Sequence, residues 1–111
     1  MYFSVADPRG RKIICSAETW NNHIVANHPS MDGREDAIIA TISNPELGFI
    51  YQDKFYPNRH IYYRRQSRGR AYWKAVVEFD DEDESDGRVV TAFPCDSKKS
   101  GELMIWPKSI D

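Results

Sequence analysis

Cysteine is scarce in this chain, with Cys15 and Cys95 as the only two among 111 residues. That is too few for a disulfide scaffold and fits free thiols in a fold stabilised by packing. No apolar run approaches the roughly 20 residues that would cross a bilayer, so no stretch reads as a membrane-spanning helix. The opening residues, Met1 to Asp7, lack a basic region followed by an apolar stretch. The expectation is therefore a cytoplasmic protein without a secretory leader. The excised end of a longer secreted protein would read the same way. Glycine is sparse too, with 6 residues, and no Gly-rich phosphate loop occurs, so no nucleotide cofactor is expected. HExxH and paired CxxC spacings are missing, which removes the usual zinc signatures. His23 and His28 are five apart and diverge on a regular helix, so no metal is expected either.

What remains is an ordinary globular composition, 41% hydrophobic and 29% charged, which argues against disorder. The length suits one domain, and residues 1–111 are read as such. The net charge of −2 hides a strong local asymmetry. Between Lys54 and Lys74 lie Lys54, Arg59, Arg64, Arg65, Arg68, Arg70 and Lys74, with no acid among them. From Ala75 to Gly87 the sign reverses, with Glu78, Asp80, Asp81, Glu82, Asp83, Glu84 and Asp86. A basic stripe can attract phosphate even on a slightly acidic molecule. Each run alone fits a solvated loop equally well.

Periodicity and turn residues predict an α+β fold, with two N-terminal helices on one face of a mainly antiparallel, four- to five-stranded sheet. Tyr2–Ala6 and Lys12–Ser16 read as short strands around the turn Asp7-Pro8-Arg9-Gly10. Ser16 is placed to cap a helix that ends at His28, because Pro29 disfavours helical geometry in the residue before it. Trp20, Ile24 and His28 form one ridge of that helix, and His23 pairs with Asn27 on a neighbouring face. Asp32 and Glu35 have capping-box spacing for a second helix, with Ile38, Ile39 and Ile42 as its apolar side and Asn44-Pro45 as its end. Strands follow at 49–52, 60–65, 71–79 and 88–93, and Leu103-Met104-Ile105-Trp106 docks on the body.

Strand 71–79 alternates cleanly, so Trp73, Ala75, Val77 and Phe79 face the helices while Tyr72, Lys74, Val76 and Glu78 face away. Symmetric closure of the hairpins sets Val77 opposite Val90, Val76 opposite Thr91, Tyr63 opposite Tyr72 and Arg65 opposite Arg70. The open face then carries Tyr63, Arg65, Arg70, Tyr72, Lys74 and Thr91. Arginine offers a planar fork to phosphate oxygens, and tyrosine a stacking surface for an unpaired base. Strand logic leaves a second reading open, a plain solvated face where tyrosine and threonine are good strand formers.

The run Trp20-Asn21-Asn22-His23-Ile24-Val25-Ala26-Asn27-His28-Pro29 resembles the W..HI...HP helix of phage-associated nucleases in the barnase–EndoU–colicin–RelE (BECR) ribonuclease superfamily. The Ile-rich helix ending Ile42-Ser43-Asn44-Pro45, the Tyr-Tyr-Arg strand at 62–64, the Val-Val-Glu strand at 76–78 and the closing Val89-Val90-Thr91-Ala92-Phe93 are similar as well. Together they cover Trp20 to Phe93. The resemblance implies a metal-independent, toxin-like endoribonuclease acting on tRNA or other RNA, with an immunity or antitoxin protein as a possible partner. In such enzymes the RNA 2′-hydroxyl attacks its own phosphate and leaves a 2′,3′-cyclic phosphate. That reaction needs a base, an acid and cations around the phosphate. The resemblance makes His23 and His28 the acid–base candidates, with Arg64 of the strand motif and Thr91 at the phosphate, while the facing argument favours Arg65 over Arg64. Tyr63, Lys74, Arg70 and Tyr72 are substrate-binding candidates from their facing alone.

Bland readings stand beside these. His28 beside Pro29 also fits a buried residue that closes a helix, His23 an ordinary surface histidine, and His60 a strand start with no motif behind it. The acidic run Asp80 to Asp86 departs from the pattern of an RNA-cleaving toxin. A catalytically silent domain that binds RNA or protein, and a module whose charged hairpins dock a partner of opposite charge, are the alternatives.

Overall fold

A computed structural model of the chain describes residues 2–68, 71–80 and 86–108. It is α+β, with one mixed sheet of seven strands and two helices. The strands are β1 (Phe3–Ala6), β2 (Lys12–Cys15), β3 (Ile50–Gln52), β4 (Arg59–Arg65), β5 (Tyr72–Phe79), β6 (Gly87–Cys95) and β7 (Leu103–Trp106). Their order is β1-β2-β6-β5-β4-β3-β7. All neighbours are antiparallel except β2 and β6, which pair in parallel through Ile13↔Gly87 and Ile14↔Arg88.

Four to five antiparallel strands is thus a correction to make. The N-terminal hairpin joins the sheet through β2 instead of lying apart from it, and the tail pairs with β3 as an edge strand. Both additions satisfy strand edges that would otherwise present unpaired backbone groups.

The first helix begins where the sequence predicts. Ser16 has extended backbone, and its hydroxyl accepts from the Thr19 amide at 3.0 Å. A short α1 (Ala17–Thr19) then widens into a π-helical stretch, Trp20–Val25. Trp20 and Ile24 are fully buried. Residues 26 and 27 finish the helix, one residue short of the expected end, and His28 leaves it with φ −135° and ψ 80°. That geometry is what a following proline favours.

Helix α2 (Glu35–Ser43) corrects the capping-box expectation. Arg34 occupies the cap without a side-chain hydrogen bond, and Asp32 lies before it at ψ 125°. The chain between the helices is spent on a 3₁₀ turn, Pro29–Met31, so the helix starts later than the Asp32–Glu35 spacing implies. The end at Asn44-Pro45 is as expected.

Both helices pack on one face of the sheet. Trp20, Ile24, Met31, Ile38 and Ile42 share a core with Ile13, Ile50, Tyr62, Ala75, Val77, Phe79, Val89 and Ala92. Trp73, at the rim of this core, is partly buried. The facing argument for strand 71–79 therefore holds. Two registers need correction. Tyr63 pairs with Lys74 and Arg65 with Tyr72, not with Tyr72 and Arg70, and Gln66 N–H to Ala71 O at 3.0 Å continues the hairpin beyond that pair. The shift is an even number of residues, so every side chain keeps its face. Val76 does pair with Thr91, but Val77 meets Val89, because a bulge between Val76 and Val77 takes up one residue of β6.

Candidate functional site

The face of the sheet away from the helices is not open. Ile61, Tyr63 and Val76 are buried there, with Tyr51, Tyr72, Val90 and Cys95 packed around them. The cover comes from the segment between β6 and β7. Glu102 reaches in, accepts from the Tyr63 hydroxyl at 2.5 Å and pairs with Lys74 Nζ at 3.1 Å. The Lys99 amide donates to the same Tyr63 oxygen at 3.1 Å. Burial, reinforced by the Glu102 bond, pushes the Tyr63 phenol far above its ordinary range, so it stays protonated. Lys98 Nζ sits among the rings of Tyr51, Tyr63 and Tyr72, each centroid 5.6–5.9 Å away, and pairs with Glu46 at 2.9 Å. The tyrosines therefore present their faces to the protein's own lysine.

Most of the basic stripe is likewise engaged within the chain. Arg59 pairs with Glu78 at 3.0 Å, and Arg65 with Glu46 at 3.6 Å while donating to Tyr72 Oη at 2.9 Å. Arg64 lies on the other face, where it donates to the Asn44 carbonyl at 2.8 Å and ties β4 to the end of α2. Thr91 is half-buried beside Val76. Arg70 and residues 81–85 lie outside the described residues. The sequence-predicted residues thus divide into Tyr63, Lys74 and Tyr72, packed under the tail, with Arg65 exposed on the same face, and a group on the helical side.

His28 is on that second side and reaches around the end of the sheet. Its ring stacks on Phe93 at 5.1 Å, with 24° between the planes. Phe93 pairs across the ladder with Lys74, and the next rung pairs Trp73 with Pro94. Above Trp73, at 6.0 Å, lies the guanidinium of Arg34. The segment between His28 and Arg34 is held by consecutive tight turns: Met31 N–H to His28 O, Asp32 N–H to Pro29 O, and Arg34 N–H to Met31 O. One short, hydrogen-bonded connection thus links a histidine stacked on Phe93 to an arginine over Trp73, side chains of successive rungs that point to opposite faces of the sheet.

A cavity of about 230 Å³ opens beside this point, lined by Arg34, Gln66, Ser67, Arg68 and Trp73. Neither Arg34 nor Arg68 takes part in an ion pair among the described residues. The combination of two arginines, an indole face, an amide and a hydroxyl can hold a phosphate and an unpaired base together. His23 is exposed on the first helix and separate from this cluster in its contacts. Asn27 Nδ2, which can only donate, lies 3.2 Å from His23 Nδ1.

Sequence reasoning missed Arg34, Trp73 and Arg68 as one group, and it missed Glu102 altogether. Arg34 reads as part of a helix start and Trp73 as core. Only the two-residue change in hairpin register brings the Gln66–Arg68 loop over Trp73. Glu102 carries no local signal, because its role depends on where the tail folds back.

The remaining chemistry-bearing groups are quiet. Cys15 and Cys95 are free thiols, and burial pushes Cys15 up to about 11, which disfavours the thiolate a nucleophile needs. Among the described residues no three His, Cys, Asp or Glu side chains converge as a metal centre. No helix among them is long and apolar enough to cross a membrane. Compared with family models, curated proteins and solved structures, the chain matches none.

Proposed function

We propose that this domain is a metal-independent endoribonuclease of BECR type, whose RNA cleft is the rim formed by His28, Arg34, Arg68 and Trp73. The observation that carries this reading is the arginine-lined cavity over Trp73, joined to His28 by the tight turns that lead to Arg34. The order of sequence motifs from Trp20 to Phe93 points the same way. In this arrangement a base stacks on Trp73 and the phosphate lies between Arg34 and Arg68. The guanidinium forks offset the charge that builds on the phosphorane oxygens. His28 carries a proton to or from the reacting oxygens, and His23, on the solvent side of the same helix, is the candidate for the second proton transfer. The 2′-hydroxyl attacks phosphorus, the 5′-oxygen leaves with a proton, and a 2′,3′-cyclic phosphate remains. With cellular RNA as substrate, the place of action is the cytoplasm, and an immunity or antitoxin protein is the partner such an activity calls for.

The test is incubation of total tRNA with the purified protein in EDTA, beside His28→Gln and Arg34→Ala variants shown to be folded by circular dichroism. Discrete fragments with cyclic-phosphate ends are expected. Loss of one general acid or base should slow cleavage by about 10²–10⁴-fold.

The covered strand face favours a second reading, a silent domain that binds RNA or protein. There Lys74, Lys98 and Arg65 already have carboxylate partners, so little free positive charge remains. Intact tRNA, bound in a salt-dependent way that Arg34→Ala weakens, would favour this reading over catalysis.

A further inference from the structure

A second concavity, of about 300 Å³, lies at the far end of the same strands and is lined by Arg9, Arg11, Gln52, His60, Ile105, Trp106 and Lys108. We infer that this concavity is a binding site for a phosphate-bearing nucleotide, independent of the ribonuclease reading.

The charge of the lining is one-sided. Arg9, Arg11 and Lys108 are cationic, and no carboxylate lines the space among the described residues. Arg9 is held in place from behind by buried Asp7, with Nε–Oδ2 at 2.9 Å and Nη2–Oδ2 at 2.7 Å, and it donates to Tyr62 Oη at 3.0 Å. Asp7 also accepts from the Arg9 and Arg11 amides, at 2.9 and 3.1 Å, which fixes the turn carrying both arginines. The Arg11 guanidinium lies flat on Phe79, 4.0 Å from the ring centroid. These cations are therefore positioned before any ligand arrives, which reduces the ordering cost of binding.

His60 supplies the second, independent observation. It is only 6% exposed, lines the cavity, and its Nδ1 has no hydrogen-bond partner among the described residues. Buried polar atoms are normally partnered, and leaving one unpaired is costly. Opposite the cations, Ile105 and Trp106 form an apolar wall on which a nucleobase can rest. The volume is at the lower end of small-ligand pockets, about 300–1,000 Å³, a size for one nucleotide and not for a stretch of polymer. Cations, a buried unpaired imidazole and an aromatic wall around one space are what a nucleotide phosphate selects.

The same chemistry belongs to a free mononucleotide and to the terminal phosphate of an RNA, and the test separates them. The His60 ring and Trp106 indole signals are followed by NMR while the full chain is titrated with adenosine 5′-monophosphate, adenosine, or a trinucleotide with and without a 5′-phosphate. Saturable shifts with the monophosphate but not with adenosine are expected. Lys108→Glu, an exposed change that leaves the fold intact, should weaken binding at least about tenfold. Tighter binding of the phosphorylated trinucleotide than of the monophosphate assigns the site to RNA ends, and the reverse assigns it to free nucleotides. Signals unmoved at millimolar monophosphate, equal shifts with adenosine, or binding indifferent to Lys108→Glu would overturn the inference.

Discussion

Acidification should weaken this fold through His60, by an amount that follows from its surroundings. The ring is buried against Phe79, with centroids 4.6 Å apart. Burial, followed by the positive charges of Arg9 and Arg11, lowers its pKa from 6.5 to about 4, against a small opposing pull from Asp7. In the unfolded chain the ring takes up its proton near 6.5. Between that value and about 4 the unfolded state therefore binds a proton that the folded state refuses. The stabilising contribution is fully present above pH 6.5 and is lost as the pH falls towards 4. Below that, both states are protonated and this group adds no further slope. The gap of about 2.5 pH units, at about 1.36 kcal/mol per unit, corresponds to about 3 kcal/mol. That is a large share of a domain's total of about 5–15 kcal/mol.

The assay is urea unfolding at several pH values between 7 and 4.5, for the wild type and His60→Gln. Carboxylates such as Asp80, held low by its hydrogen bond to Arg88, titrate alike in both proteins. The difference between the two curves thus isolates the histidine. The wild type should lose about 2–3 kcal/mol more than the variant over this range. Parallel curves would show that the ring takes up its proton in the folded state, and the argument from burial would fail.

Two further predictions concern the covered face and the bulged strand. Glu102→Ala should cost about 3–5 kcal/mol, because it leaves the Lys74 ammonium, 10% exposed, without its partner. A Lys74→Met change in the same background should recover most of that loss, and a single variant with an unchanged urea midpoint would show that the tail does not seal this face. Gly87→Ala should destabilise by about 1–3 kcal/mol, since a Cβ there would lie 2.6 Å from Val77 Cγ1 and 2.7 Å from Phe79 Cε1. A thermal melt indistinguishable from the wild type would mean that β6 can move away from β5 freely.

The elements that repeat locally were legible in the sequence. Ser16 caps its helix, Trp73, Ala75, Val77 and Phe79 share the core side, and Val76 meets Thr91, because these depend on turn chemistry and on a period of two. What depends on distant parts of the chain was not. No local pattern shows that β2 pairs in parallel with β6, nor that β7 closes the far edge on β3. The bulge between Val76 and Val77 and the pairing of Arg65 with Tyr72 are choices of packing that leave no local signal.

The candidate site shows the same division at the level of charge. A run of cations reads as a phosphate surface only while its partners are out of view, and here Glu46, Glu78 and Glu102, none adjacent in sequence to the arginine or lysine it holds, neutralise Arg59, Arg65 and Lys74 of that run together with Arg88 and Lys98. Screening by neighbours, not the number of basic residues, decides where phosphate can bind. Cations also gather at the two ends of the strands, where Arg9 is itself paired with Asp7. At one end Arg34 and Arg68 flank Trp73; at the other Arg9, Arg11 and Lys108 surround His60. Of the two histidines of the helix motif, His28, stacked on Phe93, is the one tied to the first of these ends, through the tight turns that lead to Arg34.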